Sequence, residues 1–175
     1  MSGHSHWAGI KHKKELTDQK RGKTFSKLLN AIAIAAKKET NPQFNPRLRT
    51  AILKAKENKV PQDNIDRAVK RASEVKDLEE LVMEAYGPEG SAILIEAVTD
   101  NRNRTISEVK KVLLDAGAKW AEPGSVQWAF NPPSGEKGWE AKFKQEFSGE
   151  AKGKINELVE KIKEHDDIQE VYTNS

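Results

Sequence analysis

The chain has 175 residues and no cysteine, which excludes a disulfide framework and a thiolate metal site. Its formal charge of +3 conceals an asymmetry: residues 1–75 hold 17 Lys/Arg against 7 Asp/Glu, a net of +10, while residues 76–175 hold 13 against 20, a net of −7. No apolar run reaches the ~18 residues that span a bilayer and the first twenty residues contain no hydrophobic stretch, so no membrane partner or secretory signal is expected and the expected location is the cytoplasm.

The basic first part reads as helices. Residues 1–22, with Gly3, Gly9 and Gly22 and many cations, suit an arm or a weakly held leading helix. From Thr24 to Lys38, Phe25, Leu28, Leu29, Ile32 and Ala36 recur at helical spacing. Asn45-Pro46 supplies an N-cap and a proline at the first helical position for Arg47–Asn58, whose buried face is Leu48, Ala51, Ile52 and Ala55. Pro61 opens a third helix with Ile65, Ala68, Val69 and Ala72 as its stripe. Short amphipathic helices cannot bury their stripes alone, so a three-helix bundle over residues 1–75 is expected.

After Val75 the periodicity changes. Val82–Tyr86 and Ala92–Val98 read as strands joined by Gly87-Pro88-Glu89-Gly90, and the unbroken Ala92-Ile93-Leu94-Ile95 suits a strand covered on both faces. Thr105-Ile106-Ser107-Glu108 has capping-box spacing for a helix that Gly117 closes. Val126, Trp128 and Phe130, then Trp139, Ala141, Phe143 and Phe147, alternate as strands with one buried face. Ile155, Leu158, Val159 and Ile162 mark a helix, and Ile168–Tyr172 a last strand. The expected fold is α+β: the all-α bundle, followed over residues 76–175 by an acidic, ferredoxin-like βαββαβ sandwich with an extra hairpin strand.

Seven cations, Lys11, Lys13, Lys14, Lys20, Arg21, Lys23 and Lys27, fall within seventeen positions, offset by Glu15 and Asp18. Arg47, Arg49, Arg67, Lys70 and Arg71 continue the same sign across the bundle. Such density favours a phosphate backbone, since displaced counterions drive the binding, over a face kept basic for solubility. Trp7 either stacks on a base or anchors the arm on the bundle. His4, His6 and His12, on a glycine-flanked terminus without acidic partners, make neither a closed metal site nor a held general acid–base pair, so no metal, cofactor or small-molecule substrate is expected. Thr99–Thr105 lies between a buried strand and a helix N-terminus: Arg102, Arg104 and Thr105 either hold an anion there or serve a tight turn and pair with the acidic surface of their own domain. Nothing in the sequence argues for an enzyme.

Several of these segments together resemble one family. Gly3-His4-Ser5-His6-Trp7, Asp18–Lys23, Asn45–Arg49, Asp63–Ala68, Tyr86–Gly90, Thr99–Thr105, Gly124–Trp128 and Asp166–Asn174 are similar, in order, to the YebC/PmpR family of bacterial regulatory proteins, which extends to mitochondrial translational activators. The resemblance implies a helical domain followed by α/β domains, and a non-catalytic role in gene expression as a DNA-binding transcriptional regulator or a ribosome-associated translation factor. By position, Lys11, Lys13, Lys14, Lys20, Arg21, Lys23, Arg47 and Arg49 would face nucleic acid. His6 stands where the family usually has Lys, and Asn131–Gly138 bridges directly to Trp139 where typical members insert a further acidic domain. Ribosomal RNA is the favoured ligand because no helix-turn-helix signature is present; duplex DNA is the alternative, and a protein-binding adaptor the remote one.

Overall fold

The computed structural model describes residues 3–74, 77–134 and 137–175, and of residues 3–8 only the backbone. The expected boundary at Val75 therefore falls outside the described residues. The basic part contains three helices, α1 (Gly3–Ala36), α2 (Pro46–Glu57) and α3 (Gln62–Arg71). Their stripes meet in one core built on Ile32, Ala36, Leu48, Ala55 and Ile65, with Phe25, Leu28, Leu29, Ile52 and Val69 packed against it. The leading residues do not form a separate arm; they continue α1 as a single helix. Asn45 caps α2 by accepting from the Leu48 N–H at 3.0 Å. Its buried amide also donates to the carbonyls of Ala35 and Glu39 at 2.9 and 2.7 Å, so one side chain fixes the turn between α1 and α2.

The second part is a four-stranded antiparallel sheet with two helices on one face. Strands β1 (Glu79–Tyr86) and β2 (Ala92–Thr99) form the expected hairpin. Gly87 at its turn is required, because a Cβ there would stand 2.5 Å from Ser91 Oγ and 2.8 Å from Ile93 Cδ1. Helix α4 (Arg102–Asp115), strand β3 (Lys119–Ala121), a minor hairpin of β4 (Phe130–Asn131) and β5 (Glu140–Ala141), helix α5 (Gly149–Lys163) and strand β6 (Ile168–Thr173) follow, and the sheet order is β3-β1-β2-β6. Leu81, Met83, Ile93 and Ile95 face α4 and α5 through Val109, Leu113, Leu158 and Ile162. Ala92 and Leu94 face the opposite layer of Val126, Ala129 and Phe130, so β2 is buried on both sides as its unbroken apolar run suggests. No helix among the described residues is long and apolar enough to cross a membrane.

The α+β architecture follows the sequence; the membership of the sheet does not. Val126–Phe130 and Trp139–Phe147 are not its strands: β3 and β1 pair there instead, Ala85 opposite Trp120. The reason is one buried carboxylate. Glu84, 4 % exposed on β1, accepts from the N–H groups of Gly124, Val126 and Gln127 at 2.5, 2.7 and 3.0 Å. Wrapping three donors within four residues round one anion curls this segment into a 3-10 turn at Gln127–Ala129, which an extended strand cannot do. We expect Glu84→Ala to cost roughly 3 kcal/mol, since it orphans buried N–H donors that served a charged acceptor. Urea denaturation followed by tryptophan fluorescence measures this, and an unchanged midpoint would show that the turn holds without the carboxylate.

Candidate nucleic-acid interface

Residues 9–24 of α1 are exposed on every side of the helix, and packing begins only at Phe25. This bare length is about 24 Å at 1.5 Å per residue. With roughly 100° of rotation per residue, Lys13, Lys14, Lys20, Arg21 and Lys23 spread over about half the circumference, and Lys27 continues their face. Glu15 and Asp18 fall together on the other side, beside Lys11. The result is a helix with one cationic face, in which the Thr17 and Thr24 hydroxyls return to the Lys13 and Lys20 carbonyls at 2.9 and 3.0 Å. The Arg21 guanidinium lies 5.2 Å from the centroid of the Phe25 ring, where the exposed helix meets the packed one. The side chains of Trp7, His4 and His6 lie outside the described residues.

Lys23 and Lys27 serve a second purpose. Lys23 pairs with Asp166 at 3.1 Å, and Lys27 turns inward to donate to the Lys163 carbonyl at 2.6 Å, at the C-terminal end of α5. Burial pushes the Lys27 ammonium below its ordinary pKa, opposed by the charge of Asp166. The Lys27 carbonyl in turn accepts from Gln169 at 3.3 Å. Lys27 is thus a latch between α1 and the sandwich, whose half-buried ammonium is occupied by the protein. Elsewhere on the bundle, Arg47 pairs with Glu80 across the two parts, and Arg49 donates to the Pro42 carbonyl at 3.4 Å. Arg67 donates to its own helix at the Asp63 carbonyl, 3.3 Å away. Lys70 and Arg71 are exposed in the last turn of α3.

The candidate anion site is filled from within. Helix α4 starts before Thr105, with Asn101 as its cap accepting from Arg104 N–H at 3.1 Å. Thr105 is fully buried in the first turn. Its hydroxyl donates to the Asp167 carboxylate at 2.6 Å, with Arg104 at 2.9 Å and Thr99 at 3.1 Å on the same oxygen. Arg104 also meets Asp100 at 2.9 Å, and Arg102 stands 3.5 Å from Glu79. The arrangement does bind an anion, and the anion is Asp167, which sequence reasoning left without a role; its only local signal is the acidic pair Asp166-Asp167 before the last strand. Burial alone would raise the Asp167 carboxyl, but the hydrogen bonds from Thr105, Arg104 and Thr99 hold it below its ordinary 3.8. Arg104 is correspondingly raised by its bond to Asp167. Among the described residues no three His, Cys, Asp or Glu side chains gather as metal ligands.

Residues 5–75 match the family described as TACO1/YebC protein N-terminal domain, and residues 78–134 that described as TACO1/YebC second and third domain. Curated relatives include "probable transcriptional regulatory protein" from Solibacter usitatus, 50% identical over 74% of this chain and 54% of that one, and another of that name from Chloroherpeton thalassium, 52% identical over 74% and 54%. The chain thus spans about half the length of the curated relatives it matches. A crystal structure of a conserved hypothetical protein, Aq1575 from Aquifex aeolicus, superposes with a TM-score of 0.78 over 90% of both chains at 30% identity.

Because the Asp167 carboxyl is depressed in the fold, its contribution is complete above 3.8 and disappears as pH falls through the still lower folded value. We therefore expect Asp167→Asn to lose about 2 kcal/mol at neutral pH. The gap to the parent protein should close in strong acid. Denaturant midpoints across acid pH measure this, and a gap independent of pH would assign the loss to shape rather than charge.

Proposed function

Since this chain belongs to the TACO1/YebC family, we propose that it is a non-enzymatic, nucleic-acid-binding regulator of gene expression that engages ribosomal RNA through α1, as a translation factor. In this reading residues 1–75 are the basic binding domain and residues 76–175 the acidic partner that orients it. One observation carries it: the run of exposed cations on one face of α1, over residues 9–24 that are exposed throughout. Lys13, Lys14, Lys20 and Arg21 on that face are the phosphate contacts, joined by Lys23, which exchanges Asp166 for phosphate, and by Lys11, which reaches round from the side it shares with Glu15 and Asp18. Arg47, Arg49, Arg67, Lys70 and Arg71 contribute field rather than contact, and Lys27 positions the helix. Structured RNA suits this geometry because a helix-turn-helix reader needs its recognition helix buttressed by a second one, whereas residues 9–24 are exposed on every side. The net charge of −7 on the second part limits contact along a bare duplex and suits a site lined by both RNA and protein. The alternative, a DNA-binding transcriptional regulator, is supported by the names of the relatives.

Six phosphate contacts set a slope of log affinity against log salt of about −4 to −5. Charge reversal of Lys13, Lys14, Lys20 and Arg21 to Glu should flatten it by about 3 units and abolish co-sedimentation with ribosomes. Competition between ribosomal RNA and duplex DNA for the parent protein separates the two ligands. An affinity flat in salt would sink both, and duplex DNA displacing RNA at equal concentration would leave only the transcriptional reading.

A further inference from the structure

The 3-10 turn that Glu84 imposes has an outward consequence. Trp128 and Phe143, which an alternating strand would bury, are 66 % and 51 % exposed. Their ring centroids are 5.8 Å apart at 49°, so the two faces open as a wedge. Their surroundings are fixed. Trp128 Nε1 and Tyr86 Oη both donate to the Ser125 carbonyl, at 2.8 and 3.0 Å, which satisfies the polar edges internally and leaves ring faces outward. The segment carrying Phe143, just past β5, is pinned on both sides, by Lys142 N–H to the Ala129 carbonyl at 2.8 Å and Gln145 N–H to the Asn174 carbonyl at 2.9 Å. A cavity of about 460 Å³ lies between, lined by Tyr86, Trp128, Phe143, Lys144, Gln145 and Glu146 among others. Lys142 Nζ sits 5.3 Å from the Phe143 centroid, and Glu146, the acid at the rim, pairs with Lys152 at 3.3 Å.

We propose that Trp128 and Phe143 form a stacking platform for an unpaired nucleobase, with Lys142 and Lys144 receiving the phosphates on either side of it. Rigid aromatic faces flanked by lysines are the chemistry that holds single-stranded nucleic acid without reading its sequence. The charge complement is what favours a nucleic acid over an apolar protein anchor, which seeks a pocket closed to water rather than a cation-flanked wedge. The platform is remote from the arm. The α1 latch contacts residues 163–169 at the start of β6, whereas the cavity is bounded by Asn174 beyond its end, so the length of a six-residue strand, about 20 Å, separates them. The proposal rests on the nucleic-acid reading above and extends it: a ligand touching both places presents phosphates to α1 and a splayed-out base to Trp128.

The test titrates the full chain with fluorescently labelled oligoadenylate and, separately, with an RNA duplex, across a range of salt. Trp128→Ala and Phe143→Ala are each expected to weaken oligoadenylate binding tenfold or more while leaving duplex affinity and the salt slope unchanged, and Trp128→Phe to restore most of the loss. The α1 charge reversal is expected to do the opposite, flattening the slope for both ligands. Equal oligoadenylate affinity in the parent, Trp128→Ala and Phe143→Ala proteins would overturn the platform and leave the arm intact. So would the two substitutions sparing oligoadenylate while abolishing self-association in sedimentation, which would make the wedge a protein contact. If the parent protein binds neither RNA, the underlying reading fails as well.

Discussion

Lys27 donates its half-buried ammonium to the Lys163 carbonyl, and the presentation of α1 depends on that bond. Below it the helix is held by the apolar core around Ile32 and Leu48; above it the helix is exposed from Thr24 back to Gly9, with Lys23 reaching across to Asp166. An isolated helix of that length is marginal in water, and a run of lysines that repel one another makes it more so. Its direction and its helicity at the base are therefore borrowed from the packed end. Because Lys27 seats on the negative end of the α5 dipole, beside the Asp166 that pairs with Lys23, the two parts of the chain are joined through the same charge asymmetry that separates them.

The acidic part uses two of its carboxylates inwardly, each at a place where donors converge. Asp167 occupies the start of α4 and Glu84 occupies the backbone donors of residues 124–127. Each is a spot where an unliganded protein would offer converging N–H or O–H groups to a phosphate, and each is already satisfied by a side chain from another strand or loop. Such sites stabilise the fold and are closed to a ligand, because an incoming anion would have to displace a tethered one whose effective concentration is high. On the function proposed above, phosphate recognition then falls to cations outside those two cradles, those of α1 foremost.

The features legible in the sequence are those set by neighbours along the chain. The stripes of the three helices, the Asn45 cap, the Gly87 turn and the double-sided burial of Ala92–Ile95 depend on residues a few positions apart, and they fall where periodicity and turn chemistry place them. What escaped depends on partners far away. Lys27 looks like one more surface cation until Lys163, 136 positions on, supplies a carbonyl. Thr105 looks like a helix cap, yet it lies inside the helix with its hydroxyl spent on Asp167, 62 positions on. The apolar alternation of Val126, Trp128 and Phe130 is real, but Glu84, some 40 positions earlier, bends the backbone so that Val126 and Phe130 stay buried and Trp128 turns outward.

That last displacement links the interior of the sandwich to its surface chemistry. A carboxylate buried on β1 costs solvation free energy that only well-aligned donors offset, and the segment that supplies them has to curl. Curling shortens the segment, moves the next strand off the main sheet into the β4–β5 hairpin, and leaves the Trp128 and Phe143 rings exposed, with Lys142 over the latter. Were the turn merely structural, a polar residue at Trp128 would serve it equally well, since only backbone atoms of residues 124–127 meet Glu84. A large aromatic ring held by its own N–H with its face in water is a choice that the fold does not require. It suits a partner with a flat face of its own, and on the platform proposed above, among molecules that the α1 cations also attract, that partner is an unpaired nucleobase.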